Sequence, residues 1–296
     1  MGIAILWIIL HHVQYFHMHS FPILNYLIRT GSCGVDIFLF LSSFGLYHAL
    51  ESNKSLKRYY YRRVLRILPT FIIFIIIKDL FFCPGGILSY ENWVTELRNN
   101  WFISFILIMY ISYPIVYYIQ KKATYLPLTI SIIVSISLTL LLIKFGRCDI
   151  HNYYTLVAQR FPIFMMGSIV AEKNNLMRIN NRGGYICLVI VLLCIPTLFN
   201  LDLEYLLYPL YFVLTPLLIS FLSIHSIMQI KPFMNKIGEL SLEIYLIHML
   251  VIPLLVSHSI IGILGIILTI ISTFPIAFIL HKTTNISTLL HKCKHL

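Results

Sequence analysis

Apolar runs long enough to cross a bilayer, or nearly so, recur from one end of this chain to the other. A spanning helix needs roughly 20 apolar residues, because the hydrocarbon core is about 30 Å thick. Ten such runs can be read, at about 2–16, 34–50, 64–82, 101–119, 125–143, 154–171, 184–199, 205–223, 239–257 and 259–281. Of the 296 residues 59% are hydrophobic and 11% are charged, where a soluble globular chain carries about 25% charged residues. A chain of this kind has too few polar side chains to cover itself in water. The expected fold is all-α: a polytopic membrane protein of about ten transmembrane helices.

The 22 Lys and Arg outnumber the 11 Asp and Glu, giving a formal net charge of +11. Such an excess marks either nucleic-acid binding or the cations that membrane proteins keep on cytoplasmic loops. Their distribution decides. Loops 51–63, 120–124, 172–183 and 224–237 and the tail 282–296 hold 15 of them, and the alternate loops 17–33, 83–100, 144–153 and 200–204 hold 4. The remaining three, Arg66, Lys78 and Arg160, lie within spans. This asymmetry predicts that both termini are cytoplasmic and that the protein is multi-pass in the inner (plasma) membrane, with no nucleic-acid partner. It leaves one transmembrane domain at 1–281 and a short basic tail at 282–296. The N-terminus lacks the basic region and small-residue cleavage pattern of a signal peptide, so the first helix is expected to be retained. The six cysteines show no CxxC or zinc-type Cys/His spacing, so no metal site is expected. Cys33, Cys83 and Cys148 fall in loops assigned to the outside, where they either form one disulfide or stay thiols.

The chemistry is expected in the first span, GIAILWIILHHVQYF, which carries His11 and His12. Imidazole is the side chain whose ordinary pKa sits near working pH, which suits proton transfer. Adjacent residues on a helix point about 100° apart, so only one of the two faces a given seam. The pair either works in the interior or sits at the membrane interface. Eleven steps of 100° return to within about 20° of the start, so positions 1 and 12 share a face. In GVDIFLFLSSFGLY, Asp36 lies at the outer edge and Ser42 and Ser43 in the middle. Asp36 either caps the helix and faces water, or orients an imidazole on the same side. In KRYYYRRVLRILP, Arg62 and Arg63 lie four and three residues before Arg66, a pairing of guanidiniums that suits phosphate oxygens. The tract also reads as a positive-inside signal, but Arg66 lies inside the apolar run, where a charge needs a partner. Trp101-Phe102 and Tyr113-Pro114 read as interfacial anchors. Arg160 is either functional or paired with carbonyls freed by Pro162. In SLEIYLIHMLVIP, Glu243 can partner an intramembrane Arg, and His248 is either interior or interfacial.

The segments GIAILWIILHH, GVDIFLFLSSFGL, YYRRVLRILP, WFISFILIMYISYP, RFPIFMMGSIVA and LSLEIYLIHMLVI together resemble the integral-membrane acyltransferases of acyltransferase family 3. They come in the family's order and cover nearly the whole chain. The resemblance implies a ten-span transferase that moves an acyl group, acetyl in most members, from acyl-CoA to a hydroxyl of a cell-surface or exported polysaccharide. Acetyl-CoA would then be a co-substrate, with no cofactor tightly bound. The family's Arg-x10-His pattern puts its catalytic His on His12 and its Arg on Met1. Either a start lies upstream, or the α-amino group of Met1 substitutes for the charge, or activity is lost. The family's Arg-x-x-Arg pattern, associated with the donor, falls on Arg63 and Arg66. Ser43 stands where Gly is usual, and Glu243 where a small residue is commoner. The expected roles are catalysis for His12 and Asp36, donor binding for Arg63 and Arg66, and intramembrane support for Arg160, Glu243, His248 and Ser42. Two rival functions stand beside this one. A transporter or flippase of a lipid-linked glycan would use the same intramembrane Arg, Glu and His, and an inactive family member would keep a structural role.

Overall fold

The computed structural model describes residues 1–16, 28, 30–52, 55–82, 90–144, 153–173, 186, 190, 214–219 and 231–284. Every element among the described residues is helical. They are α1 (Gly2–His12), continued by a tighter 3-10 turn at Val13–Phe16, α2 (Cys33–Ser52), α3 (Leu56–Phe82), α4 (Tyr90–Asn99) and α5 (Trp101–Lys122). There follow α6 (Leu126–Lys144), α7 (Tyr153–Lys173), α8 (Lys231–Glu239), α9 (Ser241–Ser257) and α10 (Gly262–Thr284). Helix α2, α5 and α10 are each long and apolar enough to cross a membrane, and α8 with α9, bent by 69° at their junction, passes as a pair. The chain is therefore a helical membrane protein. The runs expected at 184–199 and 205–223 lie for the most part outside the described residues.

The chain forms two compact units, one of residues 1–31, 60–96 and 232–296, the other of 32–59 and 97–231. In the first, the end of α1 packs on α9 and α10. Phe16 is fully buried and lies so close over Gly265 that a Cβ there would come within 2.5 Å of its ring. Val13, Phe16, Ile28 and Ile252 form one apolar cluster. At the opposite end, Gly2 meets the Met234 carbonyl, and Thr70 donates to Thr284 at 3.2 Å. Glu243 near the start of α9 lies 3.0 Å from His281 near the end of α10, so α9 and α10 run antiparallel. Their short junction closes through Ser259 (φ 58°) and Gly262 (φ 68°), and glycine fits such a left-handed residue at little steric cost. Lys78, an isolated cation within an apolar run, is matched by Glu96 at 2.5 Å.

In the second unit α2 packs mainly on α7 and also on α5. The close approach is at Gly167, where a Cβ would collide with the Phe40 carbonyl and the Ser43 hydroxyl. Small residues at such a crossing let two backbones meet. Ser43 is small enough to serve there, which accounts for its place in the span.

Three local expectations are corrected. Tyr113 is not an interfacial anchor: it is 0% exposed, and its hydroxyl shares a 2.6 Å hydrogen bond with Ser168. A buried phenol needs a polar partner, and α7 supplies one. Pro114, read with Tyr113 as an anchor, lies inside α5. The helix runs on to Lys122, since a proline in lipid is tolerated where neighbouring groups satisfy the freed backbone. Cys33 is the buried first residue of α2 rather than a loop residue. Cys83 and Cys148 lie outside the described residues.

Candidate active site

Helix α1 presents its two histidines to different partners, as their 100° separation requires. His11 Nδ1 lies 3.2 Å from the carbonyl of Ile28, and Trp7 donates to Thr30 at 2.9 Å, so this face ties the segment after α1 to the helix. His12 turns the other way. Its Nδ1 is 2.9 Å from the Ile8 carbonyl and 3.3 Å from Nε2 of His248, and the ring centroids of the two histidines are 4.9 Å apart. His248 is 0% exposed, which makes it interior rather than interfacial, and His12 is half-buried.

The tautomers follow from what each nitrogen faces. His248 Nδ1 points at the Ile244 carbonyl, 3.0 Å away. A carbonyl only accepts, so Nδ1 carries the hydrogen and a neutral His248 offers Nε2 as an acceptor. His12 Nδ1 faces two acceptors, the Ile8 carbonyl and that Nε2, and must carry its hydrogen too. The lone pair of a neutral His12 is then on Nε2, the nitrogen that neither partner engages. An imidazole held in this way can take a proton from a hydroxyl.

Five residues before His248, about 7.5 Å along the axis of α9, lies Glu243, fully buried. Arg66 donates to both of its carboxylate oxygens, at 2.5 and 3.2 Å, and to the Glu239 carbonyl at 2.9 Å. His281 Nδ1 is 3.0 Å from the same carboxylate. The partner that Arg66 requires inside an apolar run is thus Glu243, which the sequence offered to an intramembrane Arg without saying which. Arg63 lies one helical turn earlier on α3 and is half-buried.

Asp36 and Arg160 belong to the second unit, where they form an ion pair at 3.4 Å with both side chains buried. Trp101 covers the guanidinium, its ring centroid 4.9 Å away. Arg160 thus has a carboxylate as a partner, where the sequence suggested carbonyls freed by Pro162. Ser42 is half-buried and takes no part in these pairs. Sequence reasoning missed His281, whose place in the last turn of α10 reads as an ordinary interfacial position.

Comparison with known families decides the class. A family model described as an acyltransferase domain matches residues 2–282, nearly the entire chain. The chain belongs to acyltransferase family 3. No curated protein and no solved structure matches it. As a member of this family it is a membrane acyltransferase. The imidazole pair and the Arg66–Glu243–His281 cluster sit at two levels of one helix of the acyltransferase domain, joined by α9.

Proposed function

We propose that this acyltransferase moves an acyl group, acetyl by preference, from acyl-CoA to a hydroxyl of a cell-surface or exported polysaccharide, working in the inner (plasma) membrane. The observation that carries this reading is the His12–His248 pair, which leaves Nε2 of His12 as the base. The acceptor hydroxyl gives its proton to that nitrogen as its oxygen attacks the thioester carbonyl. The tetrahedral intermediate collapses, the C–S bond breaks, and the departing CoA thiolate takes the proton back from His12. His248, whose Nε2 faces Nδ1 of His12, takes an orienting role in this reading, while Asp36 pairs with Arg160.

Arg63 and Arg66 receive the phosphates of the donor in this scheme. Glu243 offsets the charge of Arg66 and holds its guanidinium in one orientation. The pantetheine arm then reaches along α9 toward His12.

His12→Ala tests the assignment in cells lacking any other enzyme of this activity. Acylation of the surface glycan is lost while the protein still inserts at normal levels. Unchanged glycan acylation in that variant rejects His12 as the base. Release of free CoA when membranes holding the wild-type protein are mixed with acetyl-CoA and glycan separates transfer from transport, and glycan movement without CoA release would favour a flippase.

A further inference from the structure

Within the first unit, α1, α8 and α10 enclose an open groove of about 610 Å³ whose lining side chains, among the described residues, are apolar. It runs from Phe233 and Ile237 of α8 and Pro275 of α10 at one end to Val13 of α1 and Ile266 of α10 at the other. From Pro275 to Ile266 is nine residues, about 13.5 Å of helix, and one leaflet of the hydrocarbon core is about 15 Å deep. The groove is thus one leaflet long. In a bilayer an apolar recess of this kind is filled by hydrocarbon, because leaving it empty forfeits dispersion contacts along its walls.

The end near α8 says what that hydrocarbon is attached to. Helix α8, KPFMNKIGE, turns Phe233 and Ile237 into the groove while Lys236 beside them is exposed. A short helix with apolar and cationic faces, bent by 69° from the span that follows, has the character of one lying in the membrane interface. On α10, Lys282 is exposed seven residues beyond Pro275, which brings it back to within about 20° of the same side, about 10 Å further toward the headgroup region. Two ammonium groups therefore flank the polar end of a recess shaped for a single leaflet's chain. Cations at this depth attract anionic headgroups.

We propose that this groove holds one acyl chain of an anionic phospholipid, with its phosphate facing Lys236 and Lys282. Because α1 forms one wall, the bound lipid braces the helix that carries His12. The site stands independently of the acyl-transfer reading, since its test is binding.

Native mass spectrometry of the detergent-purified full chain, titrated with dioleoyl phosphatidylglycerol or dioleoyl phosphatidylcholine, tests it. The wild-type protein retains one phosphatidylglycerol at least tenfold more strongly than phosphatidylcholine. Ile270→Trp, which fills the groove from its exposed side, lowers that retention at least tenfold. Lys236→Gln combined with Lys282→Gln, two surface changes that leave the fold alone, brings phosphatidylglycerol down to the level of phosphatidylcholine. Full retention by Ile270→Trp, or equal retention of the two lipids by the wild-type protein, would overturn the proposal. So would a polyprenyl phosphate that displaces phosphatidylglycerol at equal concentration.

Discussion

An imidazole serves as a base only when one nitrogen is committed as a donor and the other keeps its lone pair, and at His12 two acceptors make that commitment. The Ile8 carbonyl comes with the helix itself, but Nε2 of His248 comes from a residue 236 positions away. His248 is therefore a positioning residue in this reading. Its removal is expected to lower kcat about a hundredfold while KM for the donor changes little, because the Arg63 and Arg66 region is untouched. His248→Gln, whose amide reaches where Nε2 lies, is expected to restore part of kcat, whereas His248→Ala does not. Steady-state kinetics of the two variants checks this, and equal loss in both would show that His248 only fills space. The role of His12 as a candidate was legible in the sequence, from an ionisable side chain in an apolar helix. Which of His11 and His12 faces the interior was not set by position, since both lie near the end of the same span, and only the family's Arg-x10-His spacing pointed to His12. That choice is made by the Ile28 carbonyl on one side and by His248 on the other.

The elements show the same division. The apolar periods locate α2, α5 and α10, and Glu243 could be picked out as the partner of an arginine because a buried charge must have one. Choosing Arg66 over Arg160 needed the packing, which sends α3 to α9 and α7 to α2. At the α2–α7 crossing, Gly167 has no room for a side chain against Phe40 and Ser43. Gly167→Ala is expected to destabilise the protein by about 1–3 kcal/mol, the usual cost of overpacking, read as a lowered midpoint in thermal unfolding in detergent. Gly167→Leu is expected to lower it further. Gly45 on α2, which has open space around its Cβ position, is the control, and Gly45→Ala should leave the midpoint nearly unchanged. Tyr113 shows why local reading fails at such points: beside Pro114 it looks like an interface residue, and only Ser168 on α7 makes it a core one.

For the whole molecule, the excess of cations on alternate loops predicts both termini in the cytoplasm. A reporter enzyme active only in the cytoplasm, fused after Leu296, is expected to be active, and one fused within 145–152 is expected to be inactive. The reverse pattern would overturn the assigned orientation. By itself the sequence determined that the chain is a helical membrane protein and that Arg66, Lys78 and Arg160 lie within its apolar runs. Those conclusions follow from the cost of leaving polar groups in hydrocarbon, which acts on each segment without regard to its neighbours. Tertiary structure alone decided the partners, His12 with His248, Arg66 with Glu243 and His281, and Asp36 with Arg160. Hydrogen bonds and ion pairs need contact within a few ångströms, and contact between distant segments is set by how helices pack.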